Sequence, residues 1–204
     1  NQIYNNCAGK HLAMLTSCIV NNFPIKNYVD FNHPHQKNIR KVFSKFTEEI
    51  ISKKNYGIDV CSAPQYAFTI EKLGKALSNL LNSYNGKFEY SKNIQIMINA
   101  ILANPKFIGG SNNLDSNLIK ISNKNIFCKG GAEGVFLFVH LKKEIFGILK
   151  VKDGNERALP SAIYTLLKKF GILDKEELKQ FVSWNKTNLY NHAKIKVGSI
   201  TTII

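Results

Sequence analysis

Apolar positions recur at helical spacing through the first half of the chain and give way to β-rich runs in the second. After Asn5–His11 the stretch LAMLTSCIVNNF keeps apolar residues three and four apart, which predicts a helix whose first turn starts inside the preceding NNCAGKH. Pro34 suits the first turn of a second helix, with Ile39, Val42, Phe43, Phe46 and Ile50 as its apolar face. Lysine-rich SKKNYG closes it, and IDVC follows as a short apolar segment ending at Ala63-Pro64. Leu73, Ala76, Leu77, Leu80 and Leu81 predict a third helix that stops near Tyr84-Asn85-Gly86. Ile94, Met97, Ile98, Ile101 and Leu102 predict a fourth, stopped by Asn104-Pro105.

Beyond that point LIKIS, VFLFVHL and IFGILKV read as three strands, the last two joined by a hairpin at Lys142 to Glu144. Asp153-Gly154 ends the third run. Ala162, Ile163, Leu166, Leu167 and Phe170 then form a closing helix with Gly171 as its stop. Helices, an antiparallel meander and a final helix predict an α+β layer fold, taken as a single domain over residues 1–204.

Composition narrows the function classes. The 204 residues suffice for one domain with a hydrophobic core, and 44% hydrophobic with 21% charged residues is ordinary for a soluble globular chain. No run approaches the roughly 20 apolar residues of a membrane span, and no signal peptide stands at the start, so a cytoplasmic protein without membrane association is expected. The net charge of +14 is carried almost wholly by lysine, since Arg40 and Arg157 are the two arginines. Base and phosphate recognition lean on the guanidinium fork, so nucleic acid is not the expected partner. Cys7, Cys18, Cys61 and Cys128 are too widely spaced for a CxxC pair and too few for a disulfide scaffold. Reduced thiols fit best.

Four stretches could carry chemistry. In NNCAGKH, Cys7 and His11 share a helix face and could share a metal, or Lys10 could act as a base; alternatively Asn5 or Asn6 caps the helix and the charges are solvated. In GIDVCSAP, Asp59 and Cys61 point to one face of an extended segment; with the first stretch they supply two thiols and a carboxylate, a credible zinc set, or else simply end a strand. KGGAEG, Lys129 to Gly134, offers a lysine and close backbone approach before VFLFVHL, or a glycine-rich turn. His33-Pro34-His35 could bind metal or cap a helix. Ser183 to Lys186 has the Ser-x-x-Lys spacing of a nucleophile and base, a tetrad that recurs often by chance.

Taken in order, NNCAGKH, FNHPHQ, GIDVCSAP, NPKFIGG, KGGAEGV and LKVKDGNERA closely resemble the bacterial L-asparaginases of the rhizobial, thermolabile type, from Asn5 to about Leu167. The resemblance implies a fold like serine β-lactamases and serine glutaminases, with L-asparagine as substrate; the sequence leaves a homodimer open as an assembly. It implies a serine acyl-enzyme formed with help from a neutral lysine, which maps onto Lys129 as a catalytic residue. It implies a zinc ion on Cys7, Lys10 and Cys61, in place of the His11 ligand that spacing alone favoured. Asp59 is then a catalytic or outer carboxylate, and His11 and Glu133 are expected to contact substrate. NNCAGKH becomes one wall of an amidohydrolase site.

Three positions depart from the family pattern: Ala8 for serine, Val60 for glycine and Asn113 for arginine. Members of the family extend about 130 residues further at the N-terminus, where the nucleophilic serines lie. The expectation is therefore a C-terminal portion of a catalytic domain, without asparaginase activity as an isolated 204-residue polypeptide. The alternative is an inactive split or degraded fragment that still binds zinc.

Overall fold

Helix α1 (Ala8–Val20) starts at Cys7, whose carbonyl accepts the first helical bond from His11 N at 3.1 Å. Asn5 Oδ1 accepts from the Cys7 amide at 2.8 Å, so the asparagine tethers the approach to the helix. The computed structural model describes residues 5–111 and 113–204. Its described residues divide into two compact units, with the boundary inside one helix after Ala76.

In the first unit, α1 is followed by α2 (Pro34–Thr47) and by the start of α3 (Ile70–Tyr84). His33 caps α2: its Nδ1 accepts from His35 N at 3.2 Å and its Nε2 donates to Pro24 O at 2.8 Å. Of the readings left open for His33-Pro34-His35, capping is the role seen. Glu48, in the left-handed region at φ 53°, ends α2 before Ile50, which is 89% exposed rather than part of the expected apolar face. Met14 and Cys18 of α1 and Phe46 of α2 are buried. Between α2 and α3 runs a hairpin of β1 (Tyr56–Ile58) and β2 (Pro64–Tyr66), antiparallel with Ile58 opposite Pro64.

The second unit holds the larger core. The end of α3 is followed by α4 (Ser91–Ala103), a single turn α5 (Lys106–Gly109) and α6 (Leu114–Ile121). A three-stranded antiparallel sheet follows in the order β3 (Ile126–Gly131), β4 (Val135–His140), β5 (Ile145–Lys150). Helices α7 (Leu159–Lys169) and α8 (Lys175–Gln180) and a hairpin of β6 (Thr187–Tyr190) and β7 (Lys196–Ile200) complete it. Ile98, Leu118, Ile126, Phe136, Ile163, Leu167 and Phe181 form its fully buried centre. Each contributes roughly 1.5–3 kcal/mol by leaving water. Gly147 of β5 lies under the Phe138 ring, where a Cβ would come within 2.5 Å of the ring.

Mixed helices and small antiparallel sheets agree with the α+β expectation. The meander is present, but one of its strands is not where the pattern put it. LIKIS belongs to α6, not to a strand. Leu118, Ile119 and Ser122 are all buried, an i, i+1, i+4 grouping that a helix presents on one face and a strand splits between two. Asn113, where the resemblance leads one to expect an arginine, starts that helix by accepting from Asp115 N at 3.1 Å. The first strand of the sheet is IFCKGG instead, which carries Lys129 into the sheet opposite Leu137. Among the described residues no helix is long and apolar enough to cross a membrane.

Candidate active site and metal centre

Two clusters of polar side chains stand out, one in each unit. In the first, the turn of the β1–β2 hairpin brings Asp59 and Cys61 together. Asp59 N donates to Ala63 O at 3.0 Å, Ser62 N to Asp59 O at 2.9 Å, and Cys61 N to Asp59 Oδ1 at 2.7 Å. Ser62 sits at φ 69°, so the two side chains are gathered by an Asx-type turn and not by strand alternation. Val60, between them, points wholly into solvent.

The start of α1 faces this turn. Lys10 Nζ lies 2.8 Å from Asp59 Oδ2, which also accepts from Gln65 Nε2 at 2.9 Å. His11 Nε2 is 3.2 Å from Cys61 Sγ, and His11 Nδ1 is 2.6 Å from Tyr28 Oη. Hydrogen bonding from Cys61, then from Lys10, holds the Asp59 carboxyl well below the usual carboxylate range. Partial burial works against the Lys10 ammonium, but its bonds to Asp59 and Cys61 outweigh that and raise it. The Cys7 thiol is raised, first by its hydrogen bond with Cys61 and then by burial.

One ligand atom each from Cys7, Asp59 and Cys61 lie within 4.8 Å of one another. A tetrahedral zinc with bonds of about 2.0–2.3 Å sets its ligands roughly 3.5 Å apart, so these two thiols and a carboxylate are the right donor types and would close in by up to about an ångström to meet such an ion. As an ammonium paired with Asp59, Lys10 offers no lone pair. To ligate with Cys7 and Cys61 it must first give up its proton.

In the second unit Lys129 leaves β3 with its side chain about half exposed, and its Nζ lies 3.3 Å from Asp115 Oδ2. Asp115, in the first turn of α6, is 2% exposed and also accepts from Gly130 N at 2.9 Å. Lys129 Nζ donates in addition to Gly130 O. A Cβ at Gly130 would stand 3.1 Å from Asp115 Oδ1 and press on that carboxylate. Glu133 is exposed in the β3–β4 turn at φ 65°, its carbonyl accepting from Lys150 Nζ at 2.7 Å. Cys128 faces the opposite way into the core, where burial pushes its thiol up. Ser183 and Lys186 are both exposed.

A family model described as L-asparaginase II covers residues 1–202 of the chain. The chain belongs to the L-asparaginase II family. A comparison with curated proteins found no match. Membership makes the protein an asparaginase-type amidohydrolase and gives both clusters a frame. The sequence motifs mark every polar member of the first cluster except Tyr28 and Gln65; in the second cluster they do not mark Asp115. No local signal marks these three. Each is joined to its partner only by the fold, Asp115 from 14 residues before Lys129.

Proposed function

We propose that this asparaginase II protein hydrolyses the side-chain amide of L-asparagine to L-aspartate and ammonia through a serine acyl-enzyme. The observation that carries the reading is the family match over residues 1–202. A serine Oγ attacks the amide carbon while a neutral Lys129 takes the hydroxyl proton. The tetrahedral intermediate then expels ammonia, which receives that proton, and water cleaves the resulting ester to aspartate.

For the base role Lys129 must first give up the proton it carries as an ammonium paired with Asp115, as Lys10 must beside Asp59. A neutral amine has two hydrogens and one lone pair. With its hydrogens directed at Asp115 Oδ2 and Gly130 O, the lone pair is left for the incoming hydroxyl. Glu133, exposed four residues on, is proposed to meet the ammonium group of the amino-acid substrate.

We further propose that Cys7 and Cys61 hold zinc, with Lys10 as third ligand once deprotonated and Asp59 as the carboxylate beside it. A bound zinc would supply Lewis acidity and orient polar groups. A non-catalytic zinc protein is the second reading, favoured by the separation of the Cys7, Asp59 and Cys61 ligand atoms, which needs no residue from elsewhere. Ammonia release by the intact protein separates the two. Equilibrium dialysis of wild type against Cys61→Ala tests the metal, with bound zinc expected in the first and lost in the second.

A further inference from the structure

We propose that Tyr28 is a positioning residue for the zinc site: its hydroxyl fixes the His11 ring so that Nε2–H is aimed at the Cys61 sulfur. The inference rests on the zinc reading above and concerns residues that this reading leaves without a task.

Tyr28 lies in the connection between α1 and α2, 17 residues from His11, and its hydroxyl is 2.6 Å from His11 Nδ1. The two rings meet edge to face, with centroids 5.7 Å apart and planes at 86°. On its far side the imidazole places Nε2 3.2 Å from Cys61 Sγ. A metal-bound thiolate can only accept, so Nε2 must carry the hydrogen. A neutral imidazole has one N–H, which leaves Nδ1 as acceptor and makes the Tyr28 hydroxyl its donor. The chain therefore has one direction: Tyr28 Oη–H to Nδ1, then Nε2–H to Sγ.

Tyr28 is itself held. Its carbonyl accepts from Gln36 Nε2 at 2.9 Å, and Gln36 is 1% exposed on α2. The same amide nitrogen reaches Met14 Sδ of α1 at 3.5 Å. The hydroxyl is thus delivered from a packed support that ties α1 to α2. With Nε2 committed to the sulfur, His11 stands beside the metal as the ligand's partner and is kept from becoming a ligand. Outer hydrogen-bond partners of this kind typically change metal affinity 10- to 100-fold when removed.

The test is zinc competition with a chromophoric chelator on the purified chain and on Tyr28→Phe, together with long-range ¹⁵N–¹H spectra of histidine-labelled protein, which read the protonated ring nitrogen. Zinc affinity is expected to fall about tenfold or more in the variant, with the metal-free variant still melting cooperatively. Wild-type His11 is expected to be protonated at Nε2, with mixed tautomers in Tyr28→Phe. Unchanged zinc affinity in the variant, or a wild-type ring protonated at Nδ1, overturns the proposal. If wild type binds no zinc, the metal reading fails and the site-positioning role fails with it. The wild-type spectrum then still decides the hydrogen-bond direction, and it needs no folded variant.

Discussion

Asp115 Oδ2 lies 3.3 Å from Lys129 Nζ, joining the first turn of α6 to a strand lysine from almost complete burial. The same carboxylate oxygen accepts the Gly130 amide, so it sets both the lysine's position and the path of the strand that bears it. Asp115→Ala strips the Gly130 N–H of its partner and is expected to cost about 1–3 kcal/mol in urea unfolding. Asp115→Asn retains the volume and an acceptor oxygen. It is expected to unfold closer to wild type while still lowering asparagine turnover by the intact protein. Equal turnover in Asp115→Asn and wild type would detach the carboxylate from the chemistry.

The four thiols divide by burial. Cys18 and Cys128 are fully buried, while Cys7 and Cys61 are partly open to solvent. Alkylation of the native protein is expected to label Cys7 and Cys61 and to spare Cys18 and Cys128, read by peptide mass mapping. Added zinc should protect the first pair. Labelling that zinc leaves unchanged would count against a metal held by these sulfurs.

Acid should weaken the second unit through His140, which is 5% exposed with Nδ1 accepting from Lys143 N at 3.2 Å. Burial lowers its pKa, the charges of Lys143 and Lys142 add to that, and its own backbone and Glu177 oppose it. With the folded value below the unfolded one of about 6.5, this group's contribution is fully present above pH ~6.5 and is lost as pH falls towards the folded value. His35, lowered by burial and by His33, acts in the same direction in the first unit. Urea unfolding of wild type and His140→Gln from pH 7.5 to 5 checks this: the variant is expected to lose less stability over that range.

How much of this was legible in the sequence depends on how local each feature is. Helices α1, α3, α4 and α7 follow from apolar spacing bounded by Gly86, Asn104-Pro105 and Gly171, because a helix face is set by neighbours three and four apart. LIKIS reads as a strand from its β-rich composition, whereas the buried grouping of Leu118, Ile119 and Ser122 and the Asn113 cap belong to a helix. The Cys7, Lys10 and Cys61 cluster was named from motifs, but the Asp59 turn that builds it is a matter of backbone geometry at Ser62. Asp115 and Tyr28 could not be read locally at all. A lone aspartate in a first turn and a tyrosine in a connection look like solvated residues until tertiary packing sets them against Lys129 and His11.

The central claim is amide hydrolysis that depends on Lys129. Ammonia release from L-asparagine by the intact protein, compared with its Lys129→Ala variant, tests it most directly. The account predicts steady release by the first and a loss of at least a hundredfold in the second, the scale of a removed general base. Undiminished release by Lys129→Ala would contradict it.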